Sequence, residues 1–265
     1  MKRLCYSILA AMAIVLTSCA DFVSDKQVTG NGKMVTKNIS VSDFRKISVA
    51  QAIRLVFVQH SGQPKVEVRT DENVLPLLDI AVKDGELNVR YKQNVQVRNA
   101  KTVVTVHASD LSSLEASSAS SVELRNGLNR YGKLEIETSS AASLSGKGII
   151  QCKELSLEAS SASSLKLSGV KAEILDCDAS SGADVKLEAV KAGRLDCEAS
   201  SGADVDMSGS AREVDFEASS GADINAGGLE AKTGKAAASS GADVKCNVTG
   251  KFSRKTSSGG SVVNG

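Results

Sequence analysis

A parallel β-solenoid with about 20 residues per coil is the fold that this 265-residue sequence predicts, on three observations. First, a seven-residue turn of small residues recurs eight times, beginning at Ala116, Thr138, Ala159, Ala179, Ala199, Ala218, Ala238 and Thr256, with successive starts 18 to 22 positions apart. Repetition at that period marks a chain that winds and stacks. Second, apolar and polar residues alternate on both sides of each turn, which is the period of a strand with one dry face and one wet face. Third, 42% of residues are hydrophobic but only 3% are aromatic and none is Trp, so the core must be aliphatic and narrow. At about 4.8 Å of rise per coil, eight coils make a rod of roughly 40 Å.

The chain opens with Lys2 and Arg3 followed by an apolar run over residues 8–16. That run is too short to span a bilayer and reads as a secretory signal covering residues 1–18. It ends in Leu16-Thr17-Ser18-Cys19, which resembles the lipobox of bacterial lipoproteins, where cleavage before the Cys is coupled to its diacylation. Cys19 is thus the expected lipid attachment point, and its acyl chains are the expected link to a membrane, at about 0.8 kcal/mol per buried methylene. The alternative is an ordinary signal peptide with an incidental Cys. Ala20 argues against retention in the inner membrane, so the expected place is the outer membrane of a Gram-negative cell envelope, on its periplasmic or its surface face. Residues 19–30 read as a tether. Loss of residues 1–18 leaves 30 Lys and Arg against 31 Asp and Glu, so no net field predicts binding to nucleic acid or anionic lipid.

Residues 31–111 form an N-terminal β segment continuous with the solenoid. Strands are expected at 53–58, 65–70, 80–83, 86–91 and 102–107, with Asp84-Gly85 as a two-residue hairpin and a short helical turn near 73–78. This segment is expected to cap the first coil, because an uncovered end strand invites edge pairing.

Residues 112–265 carry the regular repeats. Four positions before each turn stand Leu134, Leu155, Leu175, Leu195 and Val214, and two positions before stand Leu114, Ile136, Leu157, Cys177, Cys197 and Phe216. Between these apolar columns lie Glu135, Ser156, Asp176, Asp196 and Asp215, then Glu115, Glu137, Glu158, Asp178, Glu198 and Glu217. After the turn, Val122, Leu144, Leu165, Val185, Val205, Ile224 and Val244 resume the inward column. A weaker third column is expected near Ile149, Val170, Val190 and Leu229. Leucine-rich repeats share the period but need a Leu-x-x-Leu-x-Leu run, calcium-binding nonapeptides have half the period, and helical repeats need three- and four-residue steps. Cys177 and Cys197 share one inward column, either as buried apolar fillers or, in an oxidising compartment, as a disulfide.

The candidate chemistry is confined to columns. Asp184, Asp204, Asp223 and Asp243 form a ladder, one per turn, whose carboxylates must be hydrated, paired with Lys186 or Lys245, or bridged by a cation. They are the metal candidates, with the plain alternative that Asp suits a tight turn by bonding to backbone N–H groups. The longer file from Glu115 to Glu217 raises the same question. Paired serines such as Ser180 and Ser181 are read as hydroxyls bonded along a corner, since His60 and His107, the only two histidines, lie outside the array and supply no base. No Cys-x-x-Cys occurs, no zinc site is expected, and no cofactor is expected.

The segments Asp43-Phe44-Arg45-Lys46-Ile47, Pro64-Lys65-Val66-Glu67-Val68, residues 71–76 and residues 84–89, with the repeated Ser-Gly-Ala-Asp turns, resemble the bacterial head GIN domain family, labelled an auto-transporter adhesin. The likeness runs from about Val28 to Val263. It implies a right-handed β-helical fold in a cell-envelope protein and carries no catalytic residues with it. The family turn is Gly-Ser-Gly-Asp, and the first three of the eight copies here lack both Gly and Asp. The expected function is a non-enzymatic, lipid-anchored adhesin or scaffold, with a glycan or surface protein as ligand. A polysaccharide-cleaving enzyme using the Asp ladder and an envelope-stress or assembly component are the alternatives. Self-association through the last coil is a further expectation.

Overall fold

The computed structural model describes residues 26–265. The signal, the lipobox and Cys19 lie outside them. The described chain is almost entirely β, and its strands stack as the parallel coils of a solenoid.

Each coil of the array is built from two strands joined at the small-residue turn. Lys133–Thr138 pairs in parallel with Glu154–Ala159, and Ser143–Gly146 pairs with Ser164–Leu167, both in the register the columns require. Leu134, Leu155, Leu175, Leu195 and Val214 stand in one file, fully buried. Beyond Val170 the third side and the following strand merge, so Asp184–Ala199, Asp204–Ala218 and Asp223–Ala238 run as single bent strands. The third column needs a one-residue correction. Leu128, Ile150, Val170 and Val190 are the aligned, buried residues, whereas Ile149 is 65% exposed. Alternation fixes which face a side chain takes, so one residue of error in register moves it from core to solvent. Leu229 belongs to the same file through Gly209.

The turns explain the repeat. In all eight, both central residues have positive φ (Ser181 at 54° and Gly182 at 69°, for example), the pattern of a type I′ turn closed by a bond such as Ala183 N–H to Ser180 C=O. The fourth turn residue is small and buried in every copy from Ser120 to Ala242. Coils are joined across the corner by backbone. The N–H of Ala162 donates to Ser181 C=O, that of Gly182 to Ser201 and that of Gly202 to Ser220. The expected hydroxyl ladder is replaced by this amide ladder, and hydroxyls act only where Ser replaces Ala inside, as Ser120 to Val49 C=O and Ser163 to Thr138 C=O.

From the start of the described chain to the first coil of the array the strands are β1 (Lys26–Thr29), which takes the last part of the expected tether into a pairing with β8, β2 (Met34–Ile39), β3 (Lys46–Val49), β4 (Arg54–Gln59), β5 (Lys65–Asp71), β6 (Leu78–Lys83), β7 (Glu86–Tyr91), β8 (Val95–Arg98), β9 (Val103–Ala108), and then β10 (Ser113–Ala116) and β11 (Ser121–Leu124) of the first repeat. The expected hairpin joins β6 to β7 with Asp84 and Gly85 at positive φ, and the short helical turn is Leu75–Leu77. β3 and β4 already form a coil, around a turn at Gln51 and Ala52 with φ of 63° and 57°. This coil lies between β7 and β9 on one side and β10 and β11 on the other. The coil made first in the chain is therefore second in space. β5 extends one face antiparallel to β9 and β2 follows antiparallel to β5, while β6 extends the other face antiparallel to β7, so antiparallel pairings close this end. Inside the cap, Tyr91 donates to Thr102 Oγ1 at 2.8 Å, Thr70 and Thr102 hydroxyls meet at 2.7 Å, and the buried Asp71 accepts the N–H groups of Gly32 and Lys101. Burial pushes the Tyr91 phenol up, so it stays a donor.

Candidate functional site

The Asp ladder is assembled as the spacing requires. Asp184, Asp204, Asp223 and Asp243 are successive register partners at the start of the post-turn strands, preceded by Ser164 and followed by Ser261. All four are exposed, and among the described residues their side chains make no hydrogen bond and no ion pair. Lys186 turns to Glu188 at 3.1 Å instead of Asp184, and the Lys245 stem covers Gly227. Neither lysine pairs with the ladder, and Asp is not acting as a turn cap. Among the described residues no cluster of three or more His, Cys, Asp or Glu has metal-binding geometry.

The longer carboxylate file holds two shifted groups, Glu137 and Asp178. Glu115, Glu137, Glu158, Asp178, Glu198 and Glu217 are aligned coil by coil on the outer face before the turn. Partial burial, then the flanking Glu115 and Glu158, push the Glu137 carboxyl above its ordinary value. Burial, then Glu198, Glu158 and Asp176, do the same to Asp178. In the neighbouring outward file, Asp176 is raised by burial, then by Asp196 and Glu154, while Arg194 forms an ion pair with Asp196 and Lys235 with Asp215. Like charges held at the strand spacing of about 4.8 Å strengthen each other's hold on protons.

Between this file and the first serine of each turn runs a groove of about 390 Å³. Asp178, Glu198 and Glu217 line one wall, Ser180, Ser200 and Ser219 the other, and Lys255 lies at its far end. In the sequence the acidic column ends at Glu217, because Ala237 follows it in register. Continued through Ala237, the same register reaches Lys255, which is the signal that would have found the end of the groove. Serine hydroxyls donate and accept, and carboxylates accept only, so the groove offers alternating polar groups at one repeat distance.

Cys152, Cys177, Cys197 and Cys246 are buried free thiols. Cys177 and Cys197 are direct register partners. The hydrogen bond between them, together with burial, pushes the Cys197 thiol well up. Burial pushes Cys152 to about 11. These are inert core atoms by chemistry. His60, the residue after β4, and His107 on β9 meet edge to face with ring centres 6.2 Å apart.

Solved structures of similar fold include "a putative adhesin" from Parabacteroides merdae ATCC 43184, 22% identical, covering 91% of this chain and 99% of the other with a TM-score of 0.83. A "putative adhesin" from Parabacteroides distasonis ATCC 8503 is 20% identical over 91% of this chain and 100% of the other, with a TM-score of 0.83. A "putative lipid binding protein" from the same organism is 16% identical over 91% and 100%, with a TM-score of 0.72. At these identities the likeness shows the fold. No curated protein sequence matches the chain. A family model matches residues 43–170 and 169–265, and the chain belongs to that family, described as "Putative auto-transporter adhesin, head GIN domain".

Proposed function

We propose that this chain is a non-enzymatic, lipid-anchored adhesin of the cell envelope, held in the outer membrane by acylated Cys19 and binding a glycan or a surface protein along its rod. The observation that carries the reading is the groove of Asp178, Glu198 and Glu217 opposite Ser180, Ser200 and Ser219, which repeats one polar pair per coil. Such a surface recognises an extended partner by many modest contacts, with carboxylates accepting hydrogen bonds from sugar hydroxyls or cationic side chains. The family description supports adhesion. No His stands in the array to activate a serine, and coils of nearly constant length leave no long loops to wall a catalytic cleft.

The test is a glycan and matrix-protein array probed with the purified mature chain. Binding is expected, and the pair Glu198→Ala and Glu217→Ala is expected to weaken it at least tenfold while leaving the circular dichroism spectrum unchanged. Absence of any ligand counts against adhesion. Release of unsaturated or reducing-end products from uronate polymers, lost in Asp204→Ala, would replace this reading with the polysaccharide-cleaving one.

A further inference from the structure

We infer that the capped end of the rod is a basic docking face for an anionic phospholipid bilayer, so that the solenoid projects away from the membrane that carries its anchor. This inference rests on the lipid-anchored reading. The sequence as a whole is nearly neutral, but the structure separates its charge. Residues 26–111 hold 13 Lys and Arg against 8 Asp and Glu, whereas residues 112–265 hold 17 against 21.

Within the cap the segregation is sharper. Residues 26–42 and 87–109 contain seven Lys and Arg and no Asp or Glu. The fold brings the two runs together: β1 pairs with β8 from Lys26 opposite Val95 to Thr29 opposite Arg98, and β1 leads into β2, the last strand on its face. Lys26, Lys33, Lys37, Lys92, Arg98 and Lys101 are all exposed, and none makes an ion pair among the described residues. Arg90, the seventh, is held by Asp79 at 3.1 Å. The acidic residues nearest this group in sequence or by strand pairing are Asp21 and Asp25 in the tether, Asp43 and Glu86 at the ends of the two runs, and Glu67, Asp71 and Glu72 on and just after β5, the strand paired with β2. Asp71 is buried on the Gly32 and Lys101 amides, while Glu67 and Glu72 form no ion pair with the six.

The anchor puts this same end next to a membrane. Only six residues, 20–25, separate Cys19 from Lys26 at the start of β1. Fully extended they reach about 20 Å, so the cap cannot leave the neighbourhood of the headgroups. Unpaired cations held there attract anionic lipid, each basic residue raising the partition about fivefold within a Debye length of about 8 Å. The acidic coils carry charge of the opposite sign and are repelled from the same surface. Neutrality of the whole chain thus hides a dipolar rod, and the expectation that no field draws anionic lipid holds for the total and not for the cap.

The experiment uses the mature chain as Cys19→Ser, which carries no acyl group, in flotation with vesicles of phosphatidylcholine alone or with about a third phosphatidylglycerol. Binding to the anionic vesicles is expected, with loss in about 0.5 M salt. The triple variant Lys33→Glu, Lys37→Glu, Arg98→Glu is expected to bind at least a hundredfold more weakly. The milder Lys33→Gln, Lys37→Gln, Arg98→Gln set serves if reversal disturbs folding, with a loss of more than tenfold. Equal binding to both vesicle types, variants that bind like the parent chain, or preference for duplex DNA over vesicles would each overturn the proposal. The anchor is read separately, by acyl labelling of the full chain in cells. An unlabelled chain whose Cys19→Ser form still floats refutes the anchor and spares the face; a labelled chain whose Cys19→Ser form stays in solution refutes the face and spares the anchor.

Discussion

The turn residue at the second central position decides how much strain each corner stores. Ala119, Ala141 and Ala162 occupy it at φ of 59°, 61° and 57°, whereas Gly182, Gly202, Gly221 and Gly241 occupy it in the later coils. A left-handed conformation costs a non-glycine residue roughly 1–2 kcal/mol, and glycine loses back about 0.4–1 kcal/mol through its freer unfolded chain. Ala162→Gly should therefore stabilise by about 0.5–1 kcal/mol, and Gly202→Ala should destabilise by a comparable amount, measured as the shift of the urea midpoint. Changes of the same sign in both would remove this account of the turn. The residue scale also explains the missing Gly and Asp of the first three copies. Those corners keep the same backbone path through Ala, and their post-turn positions carry Ser121, Ser143 and Ser164 in the Asp register. The carboxylate is thus dispensable to the fold.

Along an element, the cost lies in stacking like charges. Glu137, Asp176 and Asp178 all hold protons more tightly in the folded chain than their ordinary values of 4.5, 3.8 and 3.8. Their contribution to stability is whole below that ordinary range and is lost as pH rises through the raised folded-state values. The Glu123 carboxyl, held below its ordinary value by the Arg54 hydrogen bond, works in the opposite sense. Glu158 is the neighbour that raises both Glu137 and Asp178. Glu158→Gln should raise stability by about 0.5 kcal/mol at neutral pH, the size of a cross-strand charge contact, and by less near pH 4, where Glu137 and Asp178 are taking up protons. Thermal melts of the two proteins across that range test this. An equal gain at both ends would mean that packing and not charge is responsible.

As a whole, the molecule is close to one-dimensional, since each coil touches chiefly the coils on either side. Stability then approximates a sum over coils and their interfaces. Deletion of residues 159–178 removes one coil and leaves the files intact, with Leu157 brought beside Cys197, Leu144 beside Val185 and Ile150 beside Val190. The shortened chain is expected to keep its β signal per residue in circular dichroism and to melt cooperatively at a lower temperature. Loss of the cooperative transition would show that the array folds only at its native length. The same elongation lets charge separate along the axis, because ends joined only through intervening coils need not neutralise each other.

What the sequence by itself determined is everything carried by local alternation and by the repeat. The files of Leu155, Leu175 and Leu195, of Asp184 to Asp243 and of Glu115 to Glu217 follow from period two within a strand and about 20 between coils. Both are properties of neighbouring residues. The strands of the cap and the Asp84-Gly85 hairpin were legible for the same reason. Only the tertiary structure decided that Ile150 and not Ile149 faces inward, because a short corner strand has too few residues to display a period. It also decided that the coil of β3 and β4 sits above that of β7 and β9, and that the wet file ends at Lys255. Pairing between strands some 40 residues apart is chosen by which edges can be covered together, and no local pattern records that choice. The basic cap follows likewise: its two acid-free runs stand far apart in the chain and become one surface only when β1 finds β8.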